Sequence, residues 1–252
     1  MTENKRKYNV LITGGTRGIG RAIAMRLAEC ADTIIVNYVR NRVEAEKTRL
    51  MVEEKGAKCI PVKANMLYAA EIDRLFEVVE EHVEHLDVFV HCAALSAFKP
   101  ISEIKPNQWN FVMNINTRAF LHCSQKCIPM MEHKTKGKII ALSSLGSIRV
   151  IPNYGALGPA KSAIESLVRY LAVELAPRGI QVNGVNGGMI ETESISKFPD
   201  AVDLIKETTK STPAGRIGTP DDIADVVVFL LSDSARWIYG QNIIVDGGLS
   251  LI

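Results

Sequence analysis

Four glycines near the start of the chain have the spacing of a phosphate cradle. They lie in Thr13-Gly14-Gly15-Thr16-Arg17-Gly18-Ile19-Gly20, after the short apolar run Tyr8 to Ile12 and ahead of an alternating pattern at Ile19, Ala22, Ile23 and Leu27. A strand, a glycine turn and a helix start in that order aim the unpaired N–H groups of the first helical turn at an anion, and the helix dipole adds to their pull. Glycine lets the backbone turn tightly and approach a ligand without a Cβ in between. Gly14, Thr16, Arg17, Ile19 and Gly20 are therefore expected to bind a dinucleotide, its phosphate pair in the cradle. A chance glycine-rich turn is the alternative, and its position at the head of an α/β pattern counts against it.

The next apolar run tests which dinucleotide. An acidic residue at its end would accept the hydroxyls of an adenosine ribose. Here the run ends Val36-Asn37-Tyr38-Val39-Arg40-Asn41-Arg42, with no carboxylate. Arg17 and Arg40 can both approach the 2′ position, where a guanidinium fork suits a phosphate dianion. NADPH is expected over NADH. The bland reading makes Arg40 and Arg42 surface charges at a helix start, where a cation is slightly unfavourable.

Other chemistry-bearing residues point nowhere in particular. Cys30, Cys59, Cys92, Cys123 and Cys127 lack any framework spacing and read as reduced thiols. Cys123 and Cys127 share a helical face beside His122, but no second ligand pair follows, so packing is expected there and no metal site. His82 and His85 lack the order of a zinc protease motif and read as a solvated helix face.

The elements that must position the cradle follow from pattern. The 252 residues are 47% hydrophobic, enough for one sizeable core, and carry a net charge of +2. That charge gives no footprint for nucleic acid or anionic lipid, and the basic cluster Lys5-Arg6-Lys7 reads as a solvated tail. Neither a membrane-spanning run nor a signal-peptide core is seen, so a soluble, cytoplasmic protein is expected. Short β-branched runs near 8–13, 33–38, 58–63, 87–91, 137–143, 180–185 and 243–246 alternate with helical patterns near 18–30, 41–55, 69–85, 107–131, 159–176 and 221–231. Runs such as Thr33 to Tyr38 are apolar on both sides, as in a parallel sheet covered on both faces. The expected fold is α/β, a single Rossmann domain over residues 1–252 with a seven-stranded, doubly wound parallel sheet. Its ligand crevice would lie at the carboxyl ends of the strands. Residues 191–215 break the rhythm with a short helix near 200–210, and read either as a lid over that crevice or as a surface excursion.

Over residues 8 to 249 the chain resembles the short-chain dehydrogenase/reductases. The resemblance rests on Thr13-Gly14-x3-Gly18-x-Gly20, Asn116, Ser143-Ser144, Lys161 and the closing Val245-Asp246-Gly247-Gly248. Three places depart from the family pattern. His91-Cys92-Ala93-Ala94 stands for the usual Asn-Asn-Ala-Gly, and Gly187-Gly188 stands for Pro-Gly. Leu157 occupies the position of the family's catalytic tyrosine, four residues before the lysine. The nearest tyrosine is Tyr154, giving Tyr154-x6-Lys161.

That seven-residue spacing is similar to the enoyl-acyl-carrier-protein reductases, and the wider context is most similar to their type III branch. The resemblance implies NADPH-dependent reduction of a trans-2-enoyl thioester, with the acyl group on acyl carrier protein or coenzyme A, by a homotetramer. The spacing has a physical rationale. Hydride added to a ketone lands on the carbonyl carbon, so the acid sits one bond away. Hydride added to an enoyl thioester lands on the β-carbon, and charge develops on an oxygen further along. Seven residues return to nearly the same helical face about 10 Å along the axis, against about 6 Å for four. Because Pro159 tolerates only a first helical turn, a helix starting near Gly158 would leave Tyr154 to be set by the turn Asn153-Tyr154-Gly155 instead.

By resemblance, Tyr154 would stabilise the developing enolate oxygen, and Lys161 would bind the nicotinamide ribose while making Tyr154 more acidic. Ser144 and Asn116 would be an auxiliary hydroxyl and a helix-bending, water-holding amide, with Ser144 as an ordinary loop hydroxyl the other reading. Asn65 would face the adenine, Ala93 the ribose, and Ile190 and Thr192 the carboxamide and pyrophosphate. Ile195, Phe198 and Ile205 are candidates for an acyl pocket or for plain packing, and Asp246 reads as structural. Two other functions stay open: a 3-oxoacyl or other carbonyl reductase, and a cofactor-binding scaffold without activity.

Overall fold

The computed structural model describes residues 8–132, 136–193, 195 and 201–252. Lys5-Arg6-Lys7 and Phe198 lie outside them. Among the described residues seven strands form one parallel sheet: β1 (Tyr8–Thr13), β2 (Ala31–Tyr38), β3 (Lys58–Lys63), β4 (Val88–His91), β5 (Lys138–Ser144), β6 (Gln181–Gly187) and β7 (Asn242–Val245). Their order is β3-β2-β1-β4-β5-β6-β7. Ile12 pairs with Val36 of β2 on one side and Val90 of β4 on the other. The chain therefore leaves β1 in opposite directions, and a crevice opens where β1 and β4 diverge at their carboxyl ends.

The two-sided apolar strands serve two cores. Val10 and Ile12 pack with Ile23 and Leu27 of α1 (Gly18–Leu27) and Val227 of α8 (Pro220–Leu231). Leu11, between them, faces Phe76 of α3 (Ala69–His82), Phe120 of α5 (Ala119–Met131) and Ile164 of α6 (Leu157–Leu175). Alternate residues of a strand point to opposite faces, so one strand feeds both layers. Each fully buried side chain of this size contributes about 1.5–3 kcal/mol of transfer free energy. Cys123 and Cys127 belong to the second layer, where burial pushes both thiols up. The helix α2 (Arg42–Glu54) starts on Asn41, whose side chain accepts the Glu44 N–H at 3.1 Å. No described helix is long and apolar enough to cross a membrane.

One expected element changes shape. The single helix expected over 107–131 is two, α4 (Pro106–Met113) and α5, joined by a π-helical turn at Asn114–Arg118. Asn116 causes the break. Its Nδ2 donates to the Val112 carbonyl at 2.8 Å, the acceptor that its own N–H would meet in an α-helix, and to the Leu95 carbonyl at 2.9 Å. Helix α6 begins at Leu157, which leaves Pro159 in the first turn where no N–H is needed. Past β6, the short helix expected near 200–210 is α7 (Ala201–Ser211).

Candidate active site

The glycine turn is shaped by contacts that no side chain would permit. Gly14 (φ +66°) and Gly18 (φ +50°) are left-handed. A Cβ on Gly20 would collide with the Gly14 carbonyl oxygen and stand 2.9 Å from Gly15 Cα, so α1 rests directly on the turn. From below, Asn37 pins the loop: its Oδ1 accepts the Gly14 N–H at 3.3 Å and its Nδ2 donates to the Ala64 carbonyl at 2.7 Å. Arg17 occupies the N-cap of α1 without a side-chain capping bond, and no acid stands in the first turn. The amides there are available to an outside anion.

This turn forms one wall of a cleft of about 1070 Å³ along the carboxyl ends of the strands. Gly14, Thr16, Arg17 and Ile19 line it; Gly20 does not, because its task is the close packing just described. Arg40, Asn65 and Ala93 line the same cleft, as do Lys161, Ile190 and Thr192. Thr192 approaches the turn itself, within 3.4 Å of where a Gly18 Cβ would be. The Asn65 Oδ1 accepts the Leu67 N–H at 3.1 Å and shapes the loop after β3. A dinucleotide fits these donors and this cleft.

Around Arg17 and Arg40 the charges are more mixed than the sequence suggested. Arg17 pairs with Glu193 at 3.0 Å, both half or more exposed, a contact of at most about 1 kcal/mol. Glu44 of α2 also lines the cleft. Arg21 grips its carboxylate while donating to the Thr16 carbonyl at 2.5 Å, and this holds the Glu44 carboxyl below its usual range. The carboxylate looked for at the end of β2 thus stands one turn into the next helix, already neutralised by α1.

Tyr154 sits in a turn ahead of α6, where Asn153 adopts φ +60°. Its O–H donates to Ser144 Oγ at 3.1 Å, so the displaced tyrosine and the serine at the end of β5 converge. Two neighbours fix the ring. Phe98 lies 6.0 Å away between centroids, and Gly146 leaves room that a Cβ would take, 2.5 Å from Tyr154 Cε1. Lys161 donates to the Leu142 carbonyl at 2.6 Å. The expected acidification of Tyr154 by Lys161 is not found: burial pushes the phenol up, and only the Ser144 bond opposes it. The neutral phenol is thereby a hydrogen-bond donor. Asn116 bends its helix, as the resemblance implies. It is fully buried outside the cleft lining, with its amide protons given to Val112 and Leu95.

One wall of the outer cleft is apolar. Leu157, where the resembled family has tyrosine, lines it with Phe98, Phe111 and Ile195. On α7 the residues that face it are Leu204, Glu207, Thr208 and Ser211, at helical spacing, so Ile205 is turned about 100° away from the lining. Leu249 and Ile252 line the cleft as well, and Arg149 donates to the Leu249 carbonyl at 2.9 Å. No sequence signal marks that last contact. Asp246 accepts the N–H groups of Gly248 and Ser250 at 2.9 and 2.7 Å, the structural role expected of it.

His91, where the resembled family has asparagine, ties two elements together. Fully buried, it meets Thr13 Oγ1 at 3.0 Å through Nδ1 and the Asn116 carbonyl at 3.1 Å through Nε2, bridging β1 to the π turn. The Asn116 carbonyl requires Nε2 to carry the proton, so Thr13 donates to Nδ1. Burial, with Lys161 close by, lowers the ring to about 3. In the unfolded chain the ring takes up a proton below about pH 6.5, and in the fold it does not. Stability is therefore lost as pH falls through that value, by about 2 kcal/mol at pH 5 from this one residue. Denaturation of wild type and His91→Asn at pH 7 and pH 5 checks this: the variant should lose less on acidification.

The family model described as Enoyl-(Acyl carrier protein) reductase matches residues 14–250. The 1-cyclohexenylcarbonyl-CoA reductase of Streptomyces collinus is 42% identical, over 100% of this chain and 89% of its own. The 3-oxoacyl-(acyl-carrier-protein) reductase FabG of Staphylococcus aureus strain N315 is 34% identical over 97% of this chain and 99% of its own. Among solved structures, a short-chain dehydrogenase/reductase from Serratia marcescens BCRC 10948 superposes with a TM-score of 0.90 at 28% identity, covering 98% and 99% of the two chains. The reductase LugOII of lugdunomycin biosynthesis gives 0.90 at 30%, covering 99% and 100%. With a glycine turn, a seven-stranded parallel sheet and a Ser144–Tyr154 hydroxyl pair in the cleft, this chain belongs to the short-chain dehydrogenase/reductase family, whose oxidoreductases use a nicotinamide cofactor.

Proposed function

We propose that this protein is an NADPH-dependent enoyl-acyl-carrier-protein reductase that saturates the C2=C3 bond of trans-2-enoyl thioesters in acyl-chain synthesis, on acyl carrier protein or coenzyme A. The observation that carries this reading is the site's pair of hydroxyls, Tyr154 and Ser144 at 3.1 Å, with an apolar Leu157 in the place of the family's tyrosine. The phenol that donates stands three residues before the family's position, and Leu157 at that position offers no donor. The Streptomyces relative is named for a substrate with a ring double bond conjugated to a thioester carbonyl, which supports the same chemistry.

In this reading the glycine turn with Thr16 and Ile19 holds the pyrophosphate, and Arg40 with Arg17 the 2′-phosphate. Asn65 faces the adenine, Ala93 and Lys161 the riboses, and Ile190 and Thr192 the carboxamide end. When bound, NADPH supplies the hydride. The residues of the chain do the rest. Tyr154 donates its O–H to the thioester carbonyl, Ser144 orients that phenol or donates beside it, and both stabilise negative charge as it grows on the oxygen. Leu157, Phe98 and Phe111 exclude water from the double bond. The segment after β6, with Ile195 and Leu204, covers the acyl chain. We also infer a homotetramer, supported by the apolar side chains that α6 leaves in solvent, Tyr170 and Val173 at 75% and 80% exposure.

The second reading, a 3-oxoacyl thioester reductase, is favoured by the same hydroxyl pair, which would suit a ketone oxygen, and by the FabG relative. One experiment separates them. Absorbance of NADPH and NADH is followed with crotonyl and acetoacetyl thioesters. Faster consumption of NADPH with the crotonyl compound is expected, and consumption with the acetoacetyl compound alone would reject the enoyl assignment.

A further inference from the structure

Beneath Ser144 lies a buried acid with no place in the chemistry described so far. Glu165, on α6, is 7% exposed. One of its oxygens, Oε1, accepts from Ser143 Oγ at 2.6 Å, Ser147 Oγ at 2.5 Å and Asn186 Nδ2 at 2.7 Å. These donors come from the end of β5, the turn after it and the end of β6, the three places whose backbones frame the cleft floor. Ser147 and Asn186 are joined as well, at 2.9 Å. Glu165 is four residues past Lys161, one helical turn along the same face.

We propose that Glu165 is a positioning residue of this site: its carboxylate ties Ser143, Ser147 and Asn186 into one buried cluster that seats Ser144, and supplies the negative charge that keeps Lys161 an ammonium. The inference rests on the reading above only in placing Lys161 against the nicotinamide ribose, and it is indifferent to enoyl or ketone chemistry.

The charge balance around Lys161 makes the case. Burial pulls its amine down to about 8, close to losing its proton in the working range. The Cys92 thiolate would oppose this most and the Glu165 carboxylate next. Burial, however, pushes the Cys92 thiol up to about 11, so it is neutral while Lys161 titrates. His91 is neutral above about pH 3, and Tyr154 is a neutral phenol. Glu165, one helical turn along α6 and fixed by its three donors, is the acidic side chain left to act on Lys161. A carboxylate with three donors on one oxygen is held in place, which makes its field a fixed part of the site.

The test is cofactor affinity against pH, read by NADPH fluorescence titration from pH 6 to 9.5, so that it does not depend on the acyl substrate. Glu165→Gln keeps an oxygen acceptor and removes the charge. The alkaline loss of NADPH affinity is expected to move about one unit toward lower pH, a tenfold change in proton concentration. Affinity at pH 6 is expected to stay within about twofold. Ser147→Ala, which loosens the cluster and keeps the charge, should lower the melting temperature and leave the alkaline limb where it is. Cys92→Ser should also leave the limb in place. An unshifted limb in Glu165→Gln would overturn the proposal, and so would an equal shift in Ser147→Ala, since loosened packing alone would then account for it.

Discussion

Tyr154→Phe is expected to lower kcat by about 10²–10³-fold, the usual cost of removing one donor from a site that stabilises an oxyanion. Cofactor affinity should change little. The ring would keep its seat between Phe98 and Gly146, and only the O–H to Ser144 is lost. Steady-state rates with a crotonyl thioester, alongside NADPH titration of the free enzyme, separate the two quantities. A loss confined to kcat places the interaction in the transition state, and a loss confined to KM would make Tyr154 a ground-state contact. Ser144→Ala should cost less, because Ser144 accepts from the phenol and acts largely through it. The double variant should fall short of the product of the two single effects, as expected for groups that work as a unit. Full turnover in Tyr154→Phe would move the acid elsewhere in the cleft.

Much of the fold was legible because its signals are local. The glycine turn, the two-sided apolar strands and the helical patterns each declare themselves within a dozen residues, and their alternation leaves few topologies. The glycine wall of the cleft was legible for the same reason, since Gly14, Arg17 and Ile19 sit on one turn. What escaped depends on side chains meeting across the sheet. Asn116 was expected to bend its helix; what no local pattern shows is that the Leu95 carbonyl, 21 residues away, shares its amide. Glu44 and Arg21 meet across 23 residues, which hid a carboxylate in the cleft wall near Arg17 and Arg40. Glu165 reads from sequence as one more polar residue on an amphipathic helix, and its three donors come from 18 to 22 residues away along the chain. On α7 the docking of the helix decides between the pocket and packing readings of Ile205, which is as apolar as Leu204.

Gly146→Ala tests whether the site depends on that kind of meeting. The substitution touches no group with chemistry of its own, and in an exposed turn it would be almost neutral. Here an added Cβ would stand 2.5 Å from Tyr154 Cε1, well inside van der Waals contact, so the ring or the turn has to move. The room for movement is small. Tyr154 is tied at its carbonyl by the Gly158 N–H at 2.9 Å and at its own N–H by the Ile151 carbonyl at 3.1 Å. Gly158 is itself pressed on Gly146, its would-be Cβ 2.7 Å from the Gly146 carbonyl oxygen. A displacement of the phenol by about 1 Å would misplace the donor relative to the oxygen it serves, and a fault of that size costs about 10²-fold in rate. The expected result is a kcat near one hundredth of wild type, with NADPH affinity kept because the glycine turn and Lys161 are untouched. A crystal structure of the variant should show the Tyr154 O–H to Ser144 Oγ distance lengthened beyond hydrogen-bond range. Wild-type kcat with that bond intact would mean that the turn yields elsewhere, and that Tyr154 is held by Phe98 and the loop before α4 instead of by the glycine beneath it.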